Sequence, residues 1–168
     1  EKGFSLEFEG NPYLFKDDIH LTERPKGQRI VATEIDFSGK NYRVRYEYEK
    51  KTNFYKRFLN GSPHIDNNSG NQLKAKNIAV MFTSIKIIDE MDRRKITTIG
   101  SGKALVFLDG DLIEGTWKRF SKNEPTRFYD QNGEEIKFNR GQIWVEVISP
   151  DRKVSLTTEE APVTTPTP

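Results

Sequence analysis

The stretch "KALVFLDGDLIEGTWKRF" (103–120) decides the fold. Two runs with many apolar residues flank Asp109-Gly110. That pair suits a two-residue type I′ turn, where both central residues need positive φ. The spacing therefore predicts a β-hairpin closed at Asp109-Gly110.

Outward from that hairpin the rhythm stays at period two. In "NYRVRYEYE" (41–49), Tyr42, Val44, Tyr46 and Tyr48 share one face and Arg43, Arg45, Glu47 and Glu49 the other, the pattern of a half-buried strand. "NFYKRFLN" (53–60) follows after Lys50-Lys51-Thr52, a hairpin-length connection. "NIAVMFTSIKII" (77–88) reads as a buried strand. "TRFYD" (126–130) and "EEIKF" (134–138) flank a turn at Gln131-Asn132-Gly133, and "QIWVEVI" (142–148) is the last strand. Weaker strands are expected around 4–8, 13–15 and 30–37. The single helix candidate is "IKIIDEMDRRK" (85–95), without a convincing 3.6-residue stripe. Closely spaced strands with Gly- and Asn-containing turns predict a mainly β fold. Its antiparallel sheet forms a sandwich or partly open barrel, with little helix.

The 168 residues make about one domain, placed at 1–150. Beyond it, "DRKVSLTTEEAPVTTPTP" (151–168) is rich in Thr, Pro and charge and is expected to be a flexible tail. The charged fraction is 31% but the net charge is only +2. Basic spots such as Arg93-Arg94-Lys95 and Lys118, Arg119, Lys122 lie beside acids, so no nucleic-acid partner is expected. Cysteine is absent, which removes thiol catalysis, thiolate metal sites and disulfides. No run reaches the roughly 18 apolar residues of a membrane-spanning helix. The chain opens Glu1-Lys2-Gly3-Phe4, with neither an initiator Met nor a signal peptide, and is expected to be a processed product or an excised piece.

Several chemical motifs fail on inspection. "GSGK" (100–103) lacks the Gly and the Ser or Thr that a phosphate loop needs at positions 97 and 104, and a strand follows it instead of a helix. "DNNSGNQ" (66–72) and "DQNGEE" (130–135) echo calcium loops, but the first lacks the Gly and Glu required at 71 and 77. Both read as turns. Two histidines, His20 and His64, give no zinc set, so no metal or cofactor is expected. Trp117 and Trp144 lie in strands, where a Trp commonly fills a core, although an exposed Trp can stack on a ligand.

The remaining constellation is "NGSPHID" (60–66), in which Ser62, His64 and Asp66 alternate on one face of an extended chain. A serine nucleophile needs its base and the base's orienter within hydrogen-bond reach, and it is normally brought in from another element. The reading favours a structural pair, His64 with Asp66, fixing the chain between strand and turn, with the imidazole held as imidazolium.

The series "YEYEKKTNFYKRFLNGSPHIDNNSG", "NIAV", "GSGKALVFLDGDLIEGTWKR" and "PTRFYDQNGEEIKFNRGQIWVEV" resembles the C-terminal domain of the YerB-like lipoproteins of bacteria, a domain of unknown function. The likeness runs from about residue 35 to residue 150. It implies that 1–35 is a junction with a preceding domain and that the parent protein is tethered by lipid to the outer face of the bacterial membrane. Of the positions carried over, Arg57, His64, Asp66, Trp117 and Arg119 are the candidate binding residues. The reading is a non-enzymatic domain that binds an envelope protein or a cell-wall glycan or peptide. The alternatives are an envelope hydrolase using His64 and Asp66, or a structural domain supporting the preceding half.

Overall fold

A computed structural model describes residues 13–24, 29–36 and 42–159, and of 29–32 and 159 the backbone alone. The strand expected around 4–8 lies outside the described residues. Among them are fifteen strands. The first six are β1 (Phe15–Lys16), β2 (Arg29–Ile35), β3 (Val44–Glu49), β4 (Phe54–Leu59), β5 (Ser62–Pro63) and β6 (Lys74–Ala75). Next come β7 (Asn77–Phe82), β8 (Ile85–Ile87), β9 (Arg94–Ile96), β10 (Gly100–Leu108) and β11 (Asp111–Arg119). The last are β12 (Arg127–Asp130), β13 (Phe138–Asn139), β14 (Ile143–Ile148) and β15 (Val154–Glu159).

Two sheets dominate. One has the order β12-β11-β10-β7-β14 and the other β15-β2-β3-β4-β5, with β6 also on β4. Neither closes into a barrel, as the alternating pattern predicts for a sandwich. The β10–β11 hairpin closes where expected, with Leu108 opposite Asp111 and φ of 57° at Asp109 and 83° at Gly110. A side chain at Gly110 would also strike the Tyr48 ring, so this position needs glycine for space as well as for φ.

The inner faces of the two sheets bury Ile35, Tyr46 and Tyr55 from one side and Ile78, Val80, Phe107 and Ile148 from the other. Each such large apolar side chain stabilises the fold by about 1.5–3 kcal/mol. A second core covers the outer face of the five-stranded sheet, where Met81, Val106, Trp117 and Phe128 pack under Ile136 and Phe138. Tyr13 meets Phe138 edge-on with ring centroids 5.6 Å apart. β7 is thus buried on both faces, which explains its unbroken apolar run.

Four expectations change. The helix candidate at 85–95 is the β8–β9 arm, turned by Asp89, whose carboxylate accepts from the Met91 and Arg93 amides. Local side-chain capture of backbone amides favours a turn over a helix there. The expected antiparallel sheet has an exception in the five-stranded sheet, where β14 runs parallel beside β7. Residues 154–159, expected to be tail, form β15 on the edge of β2, and Val154 packs against the inter-sheet core. Part of the stretch expected to be a junction is integral as well, since β1 pairs with β13 and β2 lies inside a sheet.

Candidate functional site

Arg57 occupies an inward position of β4, in line with Tyr55, so its cation is carried into the sandwich. It is 7% exposed, and a charge so buried must be compensated. The partners come from three elements. Tyr46 faces Arg57 across the β3–β4 ladder, and Arg57 Nε–H donates to the Tyr46 hydroxyl at 3.1 Å. Glu146, on β14 of the opposite sheet, lies 3.6 Å from the guanidinium. The Trp144 ring stacks with its centroid 4.5 Å from the guanidinium carbon. Just beyond β5, His64 accepts from Arg57 Nη1 through Nδ1.

The electrostatics follow from this packing. The Tyr46 O–H donates to Glu146 at 2.5 Å. Burial pushes the Glu146 carboxyl up, against the opposing pull of Tyr46 and Arg57. Burial and the neighbouring Glu146 push the Tyr46 phenol up as well. Desolvation and then the Arg57 cation lower the His64 imidazole. Since a guanidinium can only donate, Nδ1 must be the bare, accepting nitrogen. The expected imidazolium is therefore replaced by a neutral ring.

The expected contact of His64 with Asp66 is not made. Asp66 accepts from the Ser69 amide at 3.0 Å and the Ser69 hydroxyl at 2.6 Å, which lowers its pKa and fixes the 66–71 turn. Alternate spacing puts the two side chains on one face, but each has a nearer partner. Trp117 lies in the second core with its indole N–H on the Phe82 carbonyl at 2.8 Å, out of reach of any ligand. Arg119 is spent on its own loop, donating to the Ser121 and Lys122 carbonyls. Arg57, His64 and Trp144 therefore converge, whereas Asp66, Trp117 and Arg119 stay apart. Tyr46 and Glu146 complete the cluster without having been singled out in the sequence. The signal for Glu146 was its alternation with Trp144 and Ile148, which assigns it to the inner face.

A second buried polar group holds the hairpin tip. Asp109 accepts from Asn53 at 2.8 Å, Asn139 at 2.9 Å and the Lys16 ammonium at 2.6 Å. The Gly110 amide donates to the Tyr55 hydroxyl at 2.9 Å. Both polar clusters are satisfied from within, as buried polar groups must be. Among the described residues no group of three or more His, Asp or Glu has metal-holding geometry.

Comparison with known proteins places this architecture. The C-terminal domain of a protein of unknown function, DUF3048, matches residues 33–145. The chain belongs to that family. Within it, this DUF3048 C-terminal domain is 30% identical over 151 residues to a Bacillus subtilis (strain 168) protein named "Putative lipoprotein YerB", covering 88% of this chain and 43% of the relative. The crystal structure of YerB from Bacillus subtilis superposes with a TM-score of 0.67 at 27% identity, covering 86% of this chain and 47% of that one. The domain thus spans less than half the length of these relatives.

Proposed function

We propose that the chain is a non-enzymatic binding domain of an envelope lipoprotein. The lipid anchor of its parent would hold it at the outer face of a bacterial membrane, where it grips an envelope protein or a cell-wall component. One observation carries the reading: large apolar side chains are displayed on the surface while the acid–base candidates are consumed internally. Met91 is 80% exposed, Phe120 74% and Ile87 62%. Met91 and Ile87 sit on the β8–β9 arm, and Phe120 directly follows β11. Ile87, Ile88 and Met91, gathered on one arm, are the kind of exposed apolar grouping that suits an interaction surface. His64 is held by Arg57 and Asp66 by Ser69, so neither is set up as base and orienter of a hydrolase. The lipoprotein name of the Bacillus subtilis relative supports the envelope location.

The test is photo-crosslinking in the intact parent protein within bacterial envelopes, with the reactive group at Met91 or at Phe120. The expected result is a discrete adduct with an envelope protein or a cell-wall fragment, absent when the group is placed at Asn132. Turnover of cell-wall or ester substrates by the purified chain, abolished by His64→Ala, would overturn the reading.

A further inference from the structure

The β8–β9 arm, a two-stranded sheet of its own, follows β7 and leads into β10, and among the described residues one strand position beside it is unfilled. β7 carries β14 along one edge as far as Phe82 opposite Ile148, and the Thr83 amide still donates to the Ile148 carbonyl at 2.9 Å. After Ser84 the chain enters β8, but β14 has ended and the chain leaves toward β15 in the other sheet. β8 is paired with β9 on one edge, and among the described residues nothing pairs with the other.

The ladder identifies the groups left over. The Thr97 amide donates to the Ser84 carbonyl and the Ile88 amide to the Arg93 carbonyl. Ser84 and Ile88 are therefore hydrogen-bonded positions toward β9. By antiparallel alternation the N–H and C=O of Ile85 and Ile87 point to the vacant edge. A two-stranded ribbon is marginally stable alone, and an unpaired edge is a template for another strand.

A groove of about 240 Å³ runs beside this edge, lined by Ile85, Ile87, Arg94, Val147, Ser149 and Arg152 among others. The register places Ile85 opposite Ile96 and Ile87 opposite Arg94, so these four share one face, with Lys86 and Lys95 on the reverse. The groove is cationic. Arg94 has no side-chain hydrogen bond or ion pair among the described residues. Among the described residues Arg152 has only Asp151 as an ion-pair partner, at 3.8 Å, and that carboxylate also accepts from the Ser149 hydroxyl. Two guanidiniums stand against one carboxylate.

We propose that β8 accepts a third strand in this groove: an extended peptide with apolar side chains at alternate positions and a carboxylate, on its C-terminus or a side chain. The peptide backbone pairs with Ile85 and Ile87, its apolar side chains lie against the isoleucine face, and its carboxylate meets Arg94 and Arg152. Main-chain pairing supplies affinity and the alternate side chains supply selectivity in this mode of recognition. The site rests on the reading of the chain as a binding domain and names the partner's chemistry.

The test uses nuclear magnetic resonance titration of the isotope-labelled chain with the acetylated pentapeptide TVTVD-amide, whose one carboxylate is the Asp side chain, and its neutral counterpart TVTVN-amide. Amide shifts should concentrate at 84–97 and 147–152, and the acid should bind about tenfold tighter than the neutral peptide, the scale of one charge-assisted hydrogen bond. Arg94→Glu should abolish that preference. Ile87→Pro removes a vacant-edge donor without taking a β8–β9 ladder bond, and should lose both peptides at an unchanged melting temperature. Shifts confined to other sheet edges, no shift at millimolar peptide, or undiminished binding by Ile87→Pro would each overturn the proposal. If peptide binding fails while the Met91 adduct still forms, this site is wrong and the binding-domain reading survives. Loss of both defeats both.

Discussion

The Tyr46 hydroxyl on β3 donates to the Glu146 carboxylate on β14 at 2.5 Å, joining the two sheets through a polar contact inside an apolar layer. The same hydroxyl accepts from Arg57, so one oxygen serves both members of a buried ion pair. Tyr46→Phe keeps the ring and leaves both charges short of a partner. Urea denaturation should show a loss of about 1–3 kcal/mol. A neutral result would mean that the Arg57–Glu146 pair needs no hydroxyl between its members.

The two glycines at φ 83° separate backbone strain from crowding. A Cβ at Gly110 would lie 2.4 Å from the Tyr48 ring, whereas one at Gly133 meets nothing within 4 Å. Gly133→Ala should cost only the left-handed conformation, about 1–2 kcal/mol. Gly110→Ala adds overpacking and should cost about 2–5 kcal/mol. Equal costs in parallel denaturant melts would remove the role given to Tyr48.

His64 makes stability depend on pH with a definite sign. Its folded pKa lies below the ordinary value, so between the two the unfolded chain binds more protons than the folded one. The His64 contribution is complete above about pH 6.5 and drains away as pH falls below that value. Glu146, raised by burial, acts in the opposite sense from about pH 4.3 upward, so the readout is the difference between variant and parent. His64→Gln should flatten the decline in melting temperature between pH 7 and 5. A parent and variant with parallel profiles would place the proton elsewhere.

β15 makes truncation costly. A chain ending at Pro150 loses one of the two antiparallel partners of β2 and the packing of Val154. It should lose about 1–2 kcal/mol of stability from that partial burial and ladder. The uncovered β2 edge should also promote self-association, visible by sedimentation velocity. A truncated chain that melts with the parent and stays monomeric would show that β15 adds nothing to the core.

What the sequence disclosed depended on how local the cause was. Asp109-Gly110 dictates its turn by its own backbone preferences, and the Val44, Tyr46, Tyr48 alternation needs only the pleat. The neighbour of β14 is different: nothing within "QIWVEVI" distinguishes pairing beside β7 from pairing with the strand before it. Val154 and Leu156 alternate with polar residues as an edge strand does, but the Thr- and Pro-rich surroundings outweighed four residues of pattern. His64 was legible as a site residue and not as to its partner, because Arg57 reaches it from the next strand while Asp66 is captured by Ser69 three residues on.

The parallel seam between β7 and β14 sets a timetable for the growing polypeptide. β7 gains its second neighbour only after all of β8 to β13 has been made, because Ile148 is the residue that meets Phe82. Until then a strand with apolar residues on both faces has one bare flank. A chain released amino end first, from a ribosome or through a secretion channel, cannot complete its central sheet while any part before Ile148 is still inside. Such long-range closure is slow and leaves sticky intermediates. The interval before β14 docks is therefore when the apolar flank of β7 is most open to wrong pairing.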